Sequence, residues 1–183
     1  MQLKPNSVIT NSVVLQPVET LTQALQVRRL RNACREYLTN CQDHIGFFQQ
    51  LLWYFRTYRP ALRDQTYRLF LIFDKHDLPV GYGALALKED ELKVTECVAP
   101  EYRGRGFGRM ILNHLIDIAA QEKRDLVAEI FTANLRSIAL HEKARFRHDS
   151  TKSSRGKEIR SYRLAAETFS EVCRTESGSR IVA

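Results

Sequence analysis

One stretch constrains this chain more than any other: Val98-Ala-Pro-Glu-Tyr-Arg-Gly-Arg-Gly-Phe-Gly-Arg109, where an apolar strand ends, glycines recur at every second position and an amphipathic helix begins. Gly104, Gly106 and Gly108 remove side chains where a backbone must approach a ligand closely or adopt unusual dihedrals. The helix that follows contributes unpaired N–H groups and the positive end of its dipole, which suits the loop to a phosphate or pyrophosphate. Arg103, Arg105 and Arg109 add positive charge, and Phe107 is the remaining side chain of the turn. The Gly-Lys-Ser/Thr ending of a nucleotide-binding P-loop is absent. The dinucleotide fingerprint needs a different glycine spacing near the start of a parallel sheet, whereas three antiparallel-looking strands precede this turn. By itself the turn is also compatible with a tight strand-to-helix connection and nothing more.

With 183 residues and 21.2 kDa, the chain has room for one domain, read as residues 1–165, and a C-terminal tail over 166–183 that is helical or disordered. A hydrophobic content of 44% excludes disorder throughout. The balance of 28 basic and 21 acidic side chains gives +7, which favours anionic partners without choosing among nucleotides, phosphorylated cofactors and nucleic acid. Cys34, Cys41, Cys97 and Cys173 lie far apart in sequence, with no Cys-x-x-Cys pair and no His/Cys cluster, so no metal is expected. A leader-like start and a long apolar run are both missing, which reads as a cytoplasmic protein with reduced thiols and no membrane partner.

Periodicity orders the rest. Residues 12–18 form a first strand with Pro17 near its end. A first helix is capped by Thr20 and carries Leu21, Ala24, Val27, Leu30, Ala33 and Leu38 on its apolar stripe. A second helix runs over 42–58, with Ile45, Phe48, Leu51, Leu52, Phe55 and Tyr58 on one face, and Pro60 closes it. Strands follow at 66–73, 80–88 and 92–98 as an antiparallel meander, then the Gly-rich turn, a helix from Arg109, a buried strand at 126–131, a helix over 134–145, and a hairpin of 146–150 and 159–164 joined by a polar turn at 151–158. A mixed α/β (α+β) sheet with helices on both faces satisfies that order.

Arg103-x-x-Gly106-x-Gly108 resembles the acyl-CoA pyrophosphate motif [QR]-x-x-G-x-[GA] of the GNAT N-acetyltransferase superfamily. A second signature, N-x-x-[AS]-I-x-L-Y-x-K-x-G-F, is matched by Asn134-Leu-Arg-Ser137-Ile138-Ala139-Leu140-His141-Glu142-Lys143-Ala144-Arg145-Phe146. The resemblance covers residues 66–164 and implies the GNAT fold: a mostly antiparallel sheet with a V-shaped splay between the fourth and fifth strands, here 92–98 and 126–131. It further implies acetyl-CoA as acyl donor. Backbone at Cys97 and Val98 would hold the pantetheine arm, amides over 103–109 the pyrophosphate, and Asn134 the cofactor arm. The sequence departs from the pattern twice: His141 stands where the family has a Tyr that protonates the departing sulfur, and Arg145 where it has a Gly.

The implied reaction is direct attack of a neutral amine on the thioester, which needs orientation, proton removal and charge stabilisation. Glu96, sharing a strand face with Val94 and Val98, is the candidate base, and an acidic group in an apolar inner strand is costly unless paired or functional. It is equally read as an ion-pair partner or as a group that orients the amine, with Glu129 the second candidate. His141 is the candidate acid or, alternatively, a side chain packed against the cofactor. The acceptor, a small amine, an amino sugar or a protein amine, is expected between the first two helices, their connecting loop and the closing hairpin. Phe47, Trp53, Tyr54 and Tyr58 are read as core or pocket wall. Two rivals stand beside this reading: a CoA-binding module without turnover, and a toxin-type enzyme acting on aminoacyl-tRNA. Nucleic acid is compatible with the charge but not favoured, and the family's habit of pairing through the closing strands makes a homodimer an expectation.

Overall fold

The computed structural model describes residues 8–10, 13–40 and 42–169. Its strands are β1 (Val8–Thr10), β2 (Val13–Pro17), β3 (Tyr67–Phe73), β4 (Pro79–Lys88), β5 (Glu91–Val98), β6 (Leu126–Phe131), β7 (Arg147–Ser154) and β8 (Lys157–Leu164). They lie in one sheet in the order β1-β2-β3-β4-β5-β6-β8-β7. Every neighbouring pair is antiparallel except β5 and β6. The mixed, mostly antiparallel sheet is the expected one, with β1 as an addition that the sequence did not announce. Because of β1, the expected fourth and fifth strands are β5 and β6.

Strand alternation distributes the core to both faces. Leu69 and Leu71 of β3 pack with Val27, Leu30 and Tyr58 on one side, whereas Phe70 and Ile72 pack with Ile111, Leu112 and Leu115 on the other. The first face is covered by α1 (Leu21–Cys34) and by a helical run made of α2 (Phe47–Trp53), a π-helical turn (Tyr54–Tyr58) and α3 (Arg59–Arg63). The second is covered by α4 (Phe107–Glu122) and α5 (Leu135–Lys143). Helix α4 lies directly on β4 because Gly83 has no side chain: a Cβ there would stand 2.6 Å from Ile111 Cγ2.

Local signals explain the helix ends. Thr20 caps α1 with its Oγ1 accepting from the Gln23 amide at 3.3 Å, while Gln23 Oε1 accepts from the Thr20 amide at 3.0 Å. Three expectations need correction. Helix α1 stops at Cys34 and continues as a 3₁₀ turn to Tyr37, leaving Leu38 beyond it. The second helical run begins at Phe47 and passes through Pro60, which sits in the first turn of α3, because the preceding π turn absorbs the missing N–H. Finally, the closing hairpin turns on Arg155 and Gly156 alone, both at positive φ (51° and 73°), so the strands include most of the segment read as a polar turn. The expected tail packs its first residues against the body, with Phe169 buried in the core, and everything from residue 170 lies outside the described residues.

Candidate active site

The one parallel pair opens the site. β5 and β6 are in register only from Leu92 to Val94 against Leu126 to Ala128, although β5 runs on to Val98 and β6 to Phe131. Beyond Val94 the two strands diverge into a V. A cavity of about 680 Å³ fills it, bounded by Thr95 to Val98 on one side, Glu129 and Ile130 on the other, and the phosphate loop at one end.

That loop has the conformation its glycines allow. Gly104 and Gly106 have φ of 80° and 87°, and nothing lies within 4 Å of where a Cβ would stand on either. Gly106 precedes α4, whose first intrahelical bond runs from the Met110 amide to the Gly106 carbonyl at 3.2 Å. The amides of Phe107, Gly108 and Arg109 therefore have no partner within the helix. The Arg103 amide is already taken by the Pro100 carbonyl at 3.3 Å, so the part of this residue that can reach the cavity is its side chain. Arg103, Gly104, Gly106, Phe107 and Gly108 line the cavity; Arg105 and Arg109 are exposed and do not, Arg105 being stacked over Tyr102 at 5.3 Å. Asn134 also lines it, although its Oδ1 is occupied in capping α5 through the Ser137 amide at 3.2 Å.

Two residues beyond the last β5–β6 pair, Glu96 meets His141 in the cavity wall. His141 is 1% exposed, its Nδ1 lies 2.9 Å from the Ser137 carbonyl, and its Nε2 lies 3.6 Å from Glu96 Oε2. A carbonyl can only accept, so Nδ1 carries a proton and Nε2 is the nitrogen turned toward the carboxylate. Nε2 has no hydrogen-bond partner at this distance. The arrangement sets an imidazole nitrogen and a carboxylate side by side, the pair of groups a proton-transfer site needs. Ser137 completes the cluster by donating its hydroxyl to Glu96 Oε1 at 3.2 Å. This hydroxyl was not among the expected site residues, though it occupies the small-residue position of the second motif.

Glu129 is spoken for. Lys93 and Lys152 reach its Oε1 at 2.5 and 2.8 Å; burial pushes its carboxyl up, but the two ammonium groups outweigh that and leave it below the ordinary glutamate range. The wall on the α1 side is formed by Tyr37 to Asn40, the connection after α1, and Thr39 donates to the Glu129 carbonyl at 3.3 Å. This cavity is not lined by α2 or the closing hairpin: Tyr54 and Tyr58 are core, Trp53 stacks on Tyr58, and Phe47 is exposed. Among the described residues no cluster of three or more His, Cys, Asp or Glu could hold a metal, and no helix is long and apolar enough to cross a membrane.

The profile of the Acetyltransferase (GNAT) family matches residues 26–146. No curated protein matches the sequence. Among solved structures, the spermidine N-acetyltransferase of Vibrio cholerae in complex with CoA and spermine superposes with a TM-score of 0.73 at 17% identity, covering 87% of this chain and 99% of that one. An N-acetyltransferase from Staphylococcus aureus Mu50 gives 0.69 at 18% identity over 84% and 98% of the two chains. The yncA protein of Salmonella typhimurium, with its cofactor acetyl-CoA, gives 0.69 at 19% identity over 85% and 95%. At these identities the likeness is one of fold.

Proposed function

The chain belongs to the acetyltransferase (GNAT) family, and from that premise we propose that Glu96 and His141 handle the proton while the V-shaped cavity aligns acetyl-CoA with a small amine. Acetyl-CoA-dependent N-acetylation is the activity of the family. The observation that carries the proposal is the contact between the buried His141 Nε2 and Glu96 Oε2 at 3.6 Å, in the wall of a cavity that the Gly-rich loop also lines.

Acetyl-CoA supplies an activated acetyl thioester. The left-handed turn at Gly104 and Gly106 and the first amides of α4 suit its diphosphate, with the Arg103 guanidinium beside them. Beyond Val94 β5 has no partner on its β6 side, which suits an amide-bearing arm laid along β5 near Cys97 and Val98, where Arg103 and Cys34 now occupy the Val98 carbonyl. Fixing both reactants in line accounts for most of the acceleration, since effective molarities of about 10⁵ M or more are reached in that way. Glu96 takes the proton of the attacking amine, directly or through water. His141, locked by Ser137 with Nε2 inward, passes a proton to the departing sulfur in the role the family gives to Tyr.

The acceptor reading follows from charge. The two cavity carboxylates are each engaged, Glu96 with His141 and Ser137, Glu129 with two lysines. Lys93 and Arg103 add positive charge to the walls. Such a cavity suits an amine with a single cationic centre better than a polyamine. We place the protein in the cytoplasm and expect two copies to pair through the closing strands, where every residue of β7 is exposed. Neither nucleic acid nor membrane enters this reading.

The test is release of free CoA thiol by the wild type and by the Glu96→Gln and His141→Phe variants over a panel of amines. Each variant should lose about 10²- to 10⁴-fold in kcat with little change in the KM for acetyl-CoA, and monoamines should outperform spermidine. Wild-type silence on every amine despite CoA binding would favour a module without turnover, and undiminished kcat in both variants would remove the pair from the mechanism.

A further inference from the structure

Two cysteines that stand 63 positions apart in the chain meet in the fold. Cys34 ends α1 and Cys97 lies in β5; both are buried and line the cavity, and their hydrogen bonds cross between the two elements, Cys34 Sγ donating to the carbonyl of Val98 in β5 at 3.3 Å and Cys97 Sγ to the carbonyl of Leu30 in α1 at 3.7 Å. Arg103 approaches the same point, its Nη2 3.6 Å from Cys34 Sγ and its Nε 3.3 Å from the Val98 carbonyl. The guanidinium is further steadied over the Tyr37 ring at 4.8 Å. Nothing in proton transfer or phosphate binding requires a thiol pair here.

We propose that Cys34 and Cys97 form a peroxide-sensitive dithiol at the mouth of the cofactor cavity, with Cys34 the attacking thiol, Cys97 the resolving one and Arg103 the activating cation.

The local electrostatics favour that assignment of roles. The hydrogen bond from Cys97 and the Arg103 guanidinium lower Cys34 to about 7, against burial and the Glu101 carboxylate, which act in the other direction. Cys97 is driven the opposite way, first by the thiolate beside it and then by burial. In its neutral form Cys34 donates to the Val98 carbonyl at 3.3 Å; ionised, it accepts from Cys97 and Arg103 instead. Near neutral pH a sizeable share of Cys34 is thus thiolate, the reactive form.

The chemistry balances with hydrogen peroxide as oxidant. Cys34 thiolate attacks one peroxide oxygen, the O–O bond breaks, hydroxide leaves, and Cys34 becomes a sulfenic acid. The Cys97 sulfur, giving up its proton, then attacks the Cys34 sulfur; the S–O bond breaks, water leaves and a disulfide forms. Two thiols are oxidised by two electrons and one peroxide is reduced to water and hydroxide. Closing the bond brings the two sulfurs to about 2.05 Å. That ties α1 to β5 at the residues read as the pantetheine-pairing edge, and removes the anionic partner that holds Arg103.

The consequence for the cofactor rests on the function proposed above, whereas the thiol chemistry does not, and the experiment separates them. Full-length protein carrying Cys41→Ser and Cys173→Ser, which leaves only the two thiols in question, is treated with hydrogen peroxide and read by intact mass and peptide mapping. Loss of two hydrogens mapped to a Cys34–Cys97 crosslink, reversed by dithiothreitol, is the expected result. Adding Cys97→Ser should instead leave a dimedone-reactive sulfenic acid on Cys34, and Arg103→Gln should slow the reaction severalfold. CoA affinity, measured by calorimetry before and after oxidation, should fall at least fivefold, at the low end of ordinary coupling between sites. Two thiols that stay reduced, or oxidise to sulfinic acid without crosslinking, overturn the dithiol. A crosslink with unaltered CoA affinity overturns its link to the cofactor. Reduced protein that crosslinks but never binds CoA would refute the cofactor reading alone.

Discussion

Gly106 carries the narrowest conformational demand in the molecule. Its φ of 87° is open to glycine and strained for any L side chain, yet no protein atom lies within 4 Å of the missing Cβ. Gly106→Asp puts bulk and negative charge there, so calorimetric CoA binding should disappear while the variant stays folded; unchanged affinity would show that the diphosphate is held elsewhere. Arg145 poses the opposite case. It stands at the position where the second motif has glycine, and it adopts φ of 69° with an ordinary side chain. Arg145→Gly should therefore stabilise the protein by roughly 1 kcal/mol, visible as a rise in Tm. A lower Tm would mean that the contacts of the Arg145 side chain outweigh the backbone strain.

At the scale of elements, α4 contains a histidine with a buried nitrogen that has no partner. His114 lies against Phe70 with its Nε2 buried and unpartnered, and burial lowers its pKa from the ordinary value. A depressed histidine binds its proton more readily in the unfolded chain, so its contribution favours folding above about pH 6.5 and is eroded as the pH falls through that value toward the lower folded one. His114→Leu should flatten that part of the stability–pH curve and leave the protein no less stable at neutral pH, as chemical denaturation at pH 5 and 8 would reveal; an identical slope in both proteins would contradict it. The same scale shows where the sequence was legible. Thr20 announced the start of α1, and the amphipathic pattern after the Gly-rich turn announced α4, whose Ile111, Leu112 and Leu115 are core. The helical run after Gly46 was misread: Phe48, Leu52 and Phe55 face solvent at 77%, 52% and 49% exposure, while Gln50, Tyr54 and Tyr58 are buried. The reason is polar. Gln50 donates to the Ala24 carbonyl, Tyr54 to Glu19 and Tyr58 to Val18, at 3.1, 2.9 and 2.6 Å, so the inward face is chosen by carbonyls that need donors, which hydropathy does not count. The π turn then shifts the phase before Pro60.

Across the whole molecule, function depends on one departure from regularity, the point after Val94 where a continuous sheet stops being continuous. The phosphate loop could be read from its own residues because its determinants are contiguous. The meeting of Glu96 with His141, 45 positions apart, was approached only through a resemblance, and the meeting of Cys34 with Cys97 was invisible, since both depend on how α5 and α1 cross β5. The account as a whole is most directly tested by a crystal structure of the protein grown with acetyl-CoA. It predicts the diphosphate against the amides of residues 104–108, the pantetheine amides paired with the main chain at Cys97 and Val98, and the thioester sulfur within reach of His141 Nε2. A cofactor lodged outside the V, or a sulfur remote from both His141 and Glu96, would contradict it.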